Sequence, residues 1–176
     1  MEGEIEKSMK KVVITGPEST GKTVLAKHLS LLYSFPLVDE YARTYINQLD
    51  RGYVQSDLLN IAKGQLELER AVAKGAEHLI CDTDLLTIKI WSEFKFGACD
   101  TWIIQQLESN LPDLYLICYP DLTWEYDPQR ENPNDGMSLF EIYLSEIDKL
   151  KVPFHIIKGK DKERIKNTKN AICDFF

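Results

Sequence analysis

The segment Gly16-Pro17-Glu18-Ser19-Thr20-Gly21-Lys22-Thr23 constrains this chain more than any other, because it fits G-x-x-x-x-G-K-[ST] without a mismatch. An apolar run at residues 11–15 precedes it, and an amphipathic pattern at 22–33 follows. That order, strand then loop then helix, is the context the motif requires. Glycines let the backbone close round an anion, and successive N–H groups then point inward as a nest. The helix starting near Lys22 adds the positive end of its dipole. The spacing therefore predicts a triphosphate cradle. Gly16, Glu18, Ser19, Thr20, Gly21, Lys22, Thr23 and Val24 are the expected ATP-binding set, with Lys22 at the β/γ-phosphates and the Thr23 hydroxyl on Mg²⁺.

Further apolar runs at 36–39, 78–81, 114–118 and 154–157 read as short strands, apolar on both faces as in a buried parallel sheet. Helical patterns fall at 57–74, 85–94, 101–107, 138–150 and 161–175, with Gly75 a stop for the first. In the helix at 22–33 the expected apolar face is Val24, Leu25, Leu29 and Leu32. Strands alternating with helices predict an α/β three-layer sandwich whose five-stranded parallel sheet is flanked by helices. The chain lacks repeats and linkers, so one domain is expected over 10–176 after a flexible segment at 1–9. Residues 121–136 are charged, aromatic and carry Pro128 and Pro133, which suits a lid loop.

Composition bounds the partners. A net charge of −7 repels nucleic acid, so an anionic ligand needs a local positive site. No stretch is long and apolar enough for a membrane span, and a cytoplasmic location is expected. Four cysteines show no CxxC pairing, and Cys81 and Cys118 sit inside apolar runs as buried strand residues. Nothing in the sequence sets an oligomeric state.

A magnesium–nucleotide site needs carboxylates where strands end. Asp39 and Glu40 follow the second strand, and Asp82 and Asp84 the third. Asp82 is the expected metal carboxylate, whereas Asp84 equally suits a helix N-cap. Asp39 and Glu40 compete for the acceptor hydroxyl, which a base there orients more than it activates. In the lid, Arg130 could meet the transferring phosphoryl or pair with Glu125 or Glu131, and Trp124 faces ligand or packs the lid. Arg43 could reach the acceptor or lie on a solvated helix face. Gln65 could read an amide or be solvated. Trp91 and Trp102 fall at apolar helical positions and read as core.

Taken together, the cradle, Glu40-Tyr41-Ala42-Arg43, Ile61-Ala62 with Gln65, Cys81-Asp82-Thr83-Asp84, Pro120-Asp121, Trp124-Glu125 and Arg130-Glu131 form one ordered set. It resembles the ribosylnicotinamide kinase domain of NadR-type NAD-biosynthesis proteins, a P-loop family, from about residue 11 to 172. The resemblance implies ATP- and Mg²⁺-dependent phosphorylation of the 5′-hydroxyl of nicotinamide riboside, a small-molecule partner. It implies Lys22, Asp82, Glu40 and Arg130 as catalytic residues and Thr23 and Asp82 at the metal. It places Asp82 at the metal or the acceptor, Glu40 and Arg43 at the acceptor pocket, and Trp124 and Arg130 in the lid; the expected substrate-binding set is Asp39, Glu40, Arg43, Gln65, Asp84 and Trp124. Residues 134–138 depart from the family by lacking a basic residue, which would either slow turnover or leave Arg130 to carry that charge alone. Another nucleoside or nucleotide acceptor stays open. A regulatory ATP-dependent switch also stays open, although no Asn-Lys-x-Asp guanine-reading segment occurs.

Overall fold

The computed structural model describes residues 9–173 and 175; the flexible segment expected at 1–9 therefore lies, apart from Met9, outside the described residues. In chain order the elements are β1 (Lys10–Thr15), α1 (Lys22–Tyr33), β2 (Leu37–Val38), α2 (Tyr41–Asn47), α3 (Gln55–Val72) and β3 (His78–Asp82). They continue with α4 (Leu85–Phe96), α5 (Thr101–Ser109), β4 (Leu114–Cys118), α6 (Gly136–Leu150), β5 (Phe154–Ile157) and α7 (Asp161–Ile172). All strand pairs are parallel, in the order β2-β3-β1-β4-β5. The five expected strands and the layered α/β architecture are thus present.

Both faces of a parallel sheet must be covered, so central strands are apolar throughout. Leu114 to Cys118 is buried at every position. Alternation along β1 sends Val12 and Ile14 to one face and Val13 to the other. Leu25, Ala26 and Leu29 of α1 and Ile172 of α7 close the first face. Helices α3 to α6 close the second through Leu58, Ile61, Leu86, Ile103, Phe140 and Ile147. Each such side chain contributes roughly 1.5–3 kcal/mol by leaving water. Cys81 and Cys118 are buried and free, as expected.

Two local readings change. Val24 and Leu32 are 76% and 42% exposed, so the inward face of α1 is Leu25, Ala26 and Leu29 instead. The short helix α2 enters the sequence reading only as a possible helix face at Arg43, without bounds: seven residues, without a side-chain cap at Glu40, give too little periodicity to place it. Among the described residues no helix is long and apolar enough to cross a membrane.

Because β1 lies between β3 and β4, consecutive strands diverge from it, and a crevice opens at the carboxyl edge. The loop 16–21, the β2–α2 corner and Asp82 all emerge on that edge.

Candidate active site

The cradle is built from backbone. Gly16 adopts φ 128°, and a Cβ there would stand 2.8 Å from the Cys118 carbonyl oxygen, so only glycine lets the loop cross β4. Gly21, at φ 77°, is the N-cap of α1 and brings no side chain to the first-turn N–H groups. Those groups lack intrahelical partners by geometry and suit an anion. Inside the loop, the Thr20 hydroxyl and the Lys22 ammonium both donate to the Pro17 carbonyl at 2.7 Å. Lys22 and Glu40 line both small pockets flanking the loop, and Ser19, Thr20, Thr23 and Val24 line the larger of these two.

Asp82 ends β3 opposite Ile14 and is 2% exposed. Burial pushes its carboxyl upward, while a hydrogen bond with Thr23 and the Lys22 charge pull it down. Its Oδ1 is buried without a partner. An orphaned carboxylate oxygen beside the Thr23 hydroxyl suits Mg²⁺, which takes few protein ligands and keeps waters and phosphates for the rest. Among the described residues no group of three or more His, Cys, Asp or Glu is placed to hold a metal ion.

Of the two readings open for the neighbouring aspartate, the structure supports the helix cap. Thr83 sits at φ 68°, a left-handed conformation disfavoured for a β-branched residue, and its N–H donates to the Ile14 carbonyl at 2.9 Å. The chain turns sharply there. Asp84 is buried, its Oδ1 accepts from the Leu86 N–H at 3.1 Å, and its Oδ2 accepts from the Tyr115 hydroxyl at 2.6 Å. Burial raises its pKa to about 6. Both oxygens are committed inside the fold, so Asp84 caps α4 and does not face an acceptor.

Gln65 departs from expectation. It is 2% exposed, its Oε1 accepts from the Tyr41 N–H at 2.8 Å, and its Nε2 donates to the Asp39 carbonyl at 3.3 Å. Its amide therefore clamps the corner that carries Glu40 and has no end left for a ligand. Asp39 is exposed and lines neither small pocket. Glu40 stands alone of the two in facing the loop. Burial raises its carboxyl, with Lys22 and Arg43 opposing and Asp82 and Asp127 reinforcing the shift.

Trp91 lines both small pockets, although its position in α4 reads as core. It stands one turn beyond Thr87 and packs tilted against Tyr53, with ring centroids 5.4 Å apart. At the pocket floor the Thr87 hydroxyl meets Thr15 at 3.2 Å and accepts from the Tyr143 hydroxyl at 3.3 Å. An aromatic wall, hydroxyls and a carboxylate make a pocket for a flat polar molecule. No short-range signal separates a pocket tryptophan from a core one, because both occupy apolar helical positions.

Residues 119–135 fold over the loop. Arg130 Nη1 donates to the Glu125 carbonyl at 2.6 Å and to Ser19 Oγ at 3.3 Å. The Glu125 N–H also donates to Ser19 Oγ, at 2.9 Å. Arg43 pairs with Asp127 at 3.0 Å, and Gln129 donates to Asn47 Oδ1 at 2.6 Å. Glu131 accepts from the Tyr53 hydroxyl at 2.6 Å and the Lys95 ammonium at 2.7 Å. Trp124 is half-buried and lines neither small pocket. Glu18 aims its carboxylate at the lid backbone rather than into the cradle, accepting from the N–H groups of Glu131 and Asn132.

A wider cleft of about 650 Å³ opens beyond the loop, between α1 and the β5–α7 turn, lined by Val24, His28, Leu122, Thr123, Lys160 and Lys162. Arg164 braces it: the side chain is 5% exposed, pairs with Asp121 and donates through Nε to the Gly159 carbonyl at 2.8 Å. The Gly159 N–H donates to Asp121 Oδ2 at 2.7 Å. Segments so far apart in sequence give no local pattern, and this cleft was not anticipated.

By sequence, no curated protein matches the chain significantly. Among solved structures it is similar to a NadR protein in complex with NR, at 20% identity and a TM-score of 0.76 over 95% of this chain and 50% of that one. A NadR protein in complex with NAD and AMP-PNP aligns at 19% identity and a TM-score of 0.74, covering 95% and 49%. The chain thus spans about half the length of those proteins. A thymidylate kinase from Ehrlichia chaffeensis aligns at 17% identity and a TM-score of 0.63, covering 95% and 98%. A deoxyadenosine kinase from M. mycoides aligns at 15% and 0.67, covering 94% and 100%. These likenesses show the fold of nucleoside and nucleotide kinases. The model of the family described as "AAA domain" matches residues 11–164, and the chain belongs to that family of P-loop proteins.

Proposed function

We propose that this protein is an ATP-dependent kinase that transfers the γ-phosphoryl group to the 5′-hydroxyl of nicotinamide riboside, giving nicotinamide mononucleotide. The observation that carries the proposal is the shared wall of the two small pockets, where Lys22 of the cradle, Glu40 of the β2–α2 corner and Trp91 of α4 stand together. A donor phosphate held by the loop and an acceptor beside Trp91 would meet at Lys22 and Glu40.

In this reading the amides of residues 16–23 and the Lys22 ammonium bind the phosphates and neutralise charge as it shifts toward the leaving oxygen. Thr23 and Asp82 would hold Mg²⁺, which when bound draws charge from the β- and γ-phosphate oxygens. Glu40, raised by burial, accepts the hydrogen bond of the acceptor hydroxyl and orients it for in-line attack. Arg130 places a guanidinium over the transferring group and, with the lid, excludes water. The wide cleft bounded by His28 and Lys160 accommodates the nucleobase of the donor. The NadR neighbour in complex with NR supports this acceptor, while the thymidylate and deoxyadenosine kinase neighbours favour another nucleoside or nucleotide as the second reading.

The test is ADP release from purified protein and Mg-ATP across a panel of nucleosides and nucleotides, with product masses read in parallel. Nicotinamide riboside should give ADP and its monophosphate in equal amounts. Indifference to it beside strong turnover of another acceptor would overturn the substrate assignment and keep the reaction class.

A further inference from the structure

A carboxylate inside a phosphate-binding loop works against its ligand, since like charges a few ångströms apart repel. Glu18 lies in this loop, four residues before Lys22, so its presence calls for a use that offsets the repulsion. Its side chain supplies one. One carboxylate oxygen accepts from the Glu131 N–H at 3.1 Å, and the other accepts from the Asn132 N–H. The next residue, Ser19, at φ 59°, turns its hydroxyl the same way and accepts from the Glu125 N–H and from Arg130. Arg130 is therefore bracketed: residue 125 before it and residues 131 and 132 after it are fastened to two consecutive residues of the loop.

We infer that Glu18 is a positioning residue which docks the lid on the phosphate loop and thereby sets the place of Arg130. The inference rests on the kinase reading above. Two backbone N–H donors on one carboxylate are charge-assisted bonds with a defined direction, so they fix the orientation of the lid segment and not merely its proximity. Asn132 also lines the acceptor pocket, so the same carboxylate ties the pocket wall to the loop. With the lid docked, that pocket has only about 70 Å³. Ligand pockets usually measure roughly 300–1,000 Å³, so seating an acceptor there calls for the lid to give way. Releasing and remaking the Glu18 bonds then belongs to each turnover, and the negative charge of Glu18 keeps them from being made by a phosphate oxygen instead.

The experiment is hydrogen–deuterium exchange on the ligand-free full chain, followed on the peptide covering residues 125–135, for wild type, Glu18→Ala and Glu18→Gln. The expected result is exchange at least roughly tenfold faster in Glu18→Ala, with exchange in the sheet unchanged. Glu18→Gln, with one accepting oxygen, should fall between. With Mg-ATP and acceptor, Glu18→Ala should lower kcat roughly tenfold while moving the KM for ATP much less, and should release more ADP than phosphorylated product because water reaches the donor. Lid exchange equal to wild type would overturn the inference. So would a loss of ATP affinity as deep as that of Lys22→Ala with the lid still protected, since Glu18 would then serve the nucleotide directly. Faster lid exchange in a protein that phosphorylates no acceptor would leave the docking role standing and remove the kinase reading instead.

Discussion

Arg130 reaches the phosphate loop through Ser19 while its own backbone is held by a turn, its N–H donating to the Asp127 carbonyl at 2.9 Å. Its contact with a transferring group belongs to the closed lid, so it should act on turnover more than on ground-state affinity. Arg130→Ala is expected to lower kcat by about 10²–10³ with ATP affinity changed by less than about threefold. Steady-state kinetics beside a binding titration separate the two, and equal losses in both would make Arg130 a ground-state contact. Residues whose partners lie in the same motif were readable in the sequence. Lys22, Thr23 and Asp82 follow from loop chemistry and from a strand end. The Asp84 cap was readable too, since it bonds the Leu86 N–H two residues on, but its Tyr115 partner and the role of Gln65 were not, because the Tyr41 and Asp39 backbone and the Tyr115 hydroxyl come from other elements. Polar type alone does not distinguish a clamp from a ligand contact.

At the scale of elements, packing overrides local preference. Gly64 lies mid-helix in α3, where replacement by alanine would ordinarily gain about 1 kcal/mol. Here a Cβ would stand 2.1 Å from the ring of Tyr41, the first residue of α2. Overpacking of that kind costs about 1–3 kcal/mol. Gly64→Ala should therefore lose up to about 2 kcal/mol in urea unfolding and raise the KM of the acceptor, because the corner bearing Glu40 shifts; a stabilised variant would contradict this packing. The glycine reads in the sequence as a weak helix residue, and only the arrival of α2 explains it. The α4 cap makes a second prediction. Asp84 has its pKa raised from 3.8 to about 6 in the folded protein. A raised acid pKa means the folded state holds the proton more tightly. The contribution is thus complete below about pH 3.8 and lost as pH climbs through about 6. Unfolding free energy should fall by at most about 3 kcal/mol across that window on this account. Asp57, whose carboxyl is lowered chiefly by its hydrogen bond to Arg51, acts in the opposite sense and at more acid pH. Denaturant titrations from pH 4 to 7 should show that fall in wild type and a flatter profile in Asp84→Asn. An unaltered profile in the variant would remove Asp84 as the source.

For the whole molecule, the central strands were legible because a parallel sheet buried on both faces demands apolar runs, and β1, β3 and β4 supply them, while the edge strand β5 is largely exposed and shows only as a short apolar run. The order β2-β3-β1-β4-β5 has no such local imprint, since it is fixed by which helices cover which face. The wide cleft closed by Asp121 and Arg164 joins segments 43 residues apart and is equally silent in the sequence. What the fold achieves is convergence: loop, β2–α2 corner, β3 end and lid all meet at Lys22. The most direct check is a calorimetric titration of Mg-ATP into wild type and Lys22→Ala. Lys22 makes its described hydrogen bond within its own loop, so the variant should melt within about 4 °C of wild type. Wild type should give saturable one-to-one heat with a dissociation constant between about 1 μM and 1 mM, and Lys22→Ala, still folded, should give none. Absence of heat from the wild type, or equal binding by both proteins, would contradict a cradle at residues 16–23.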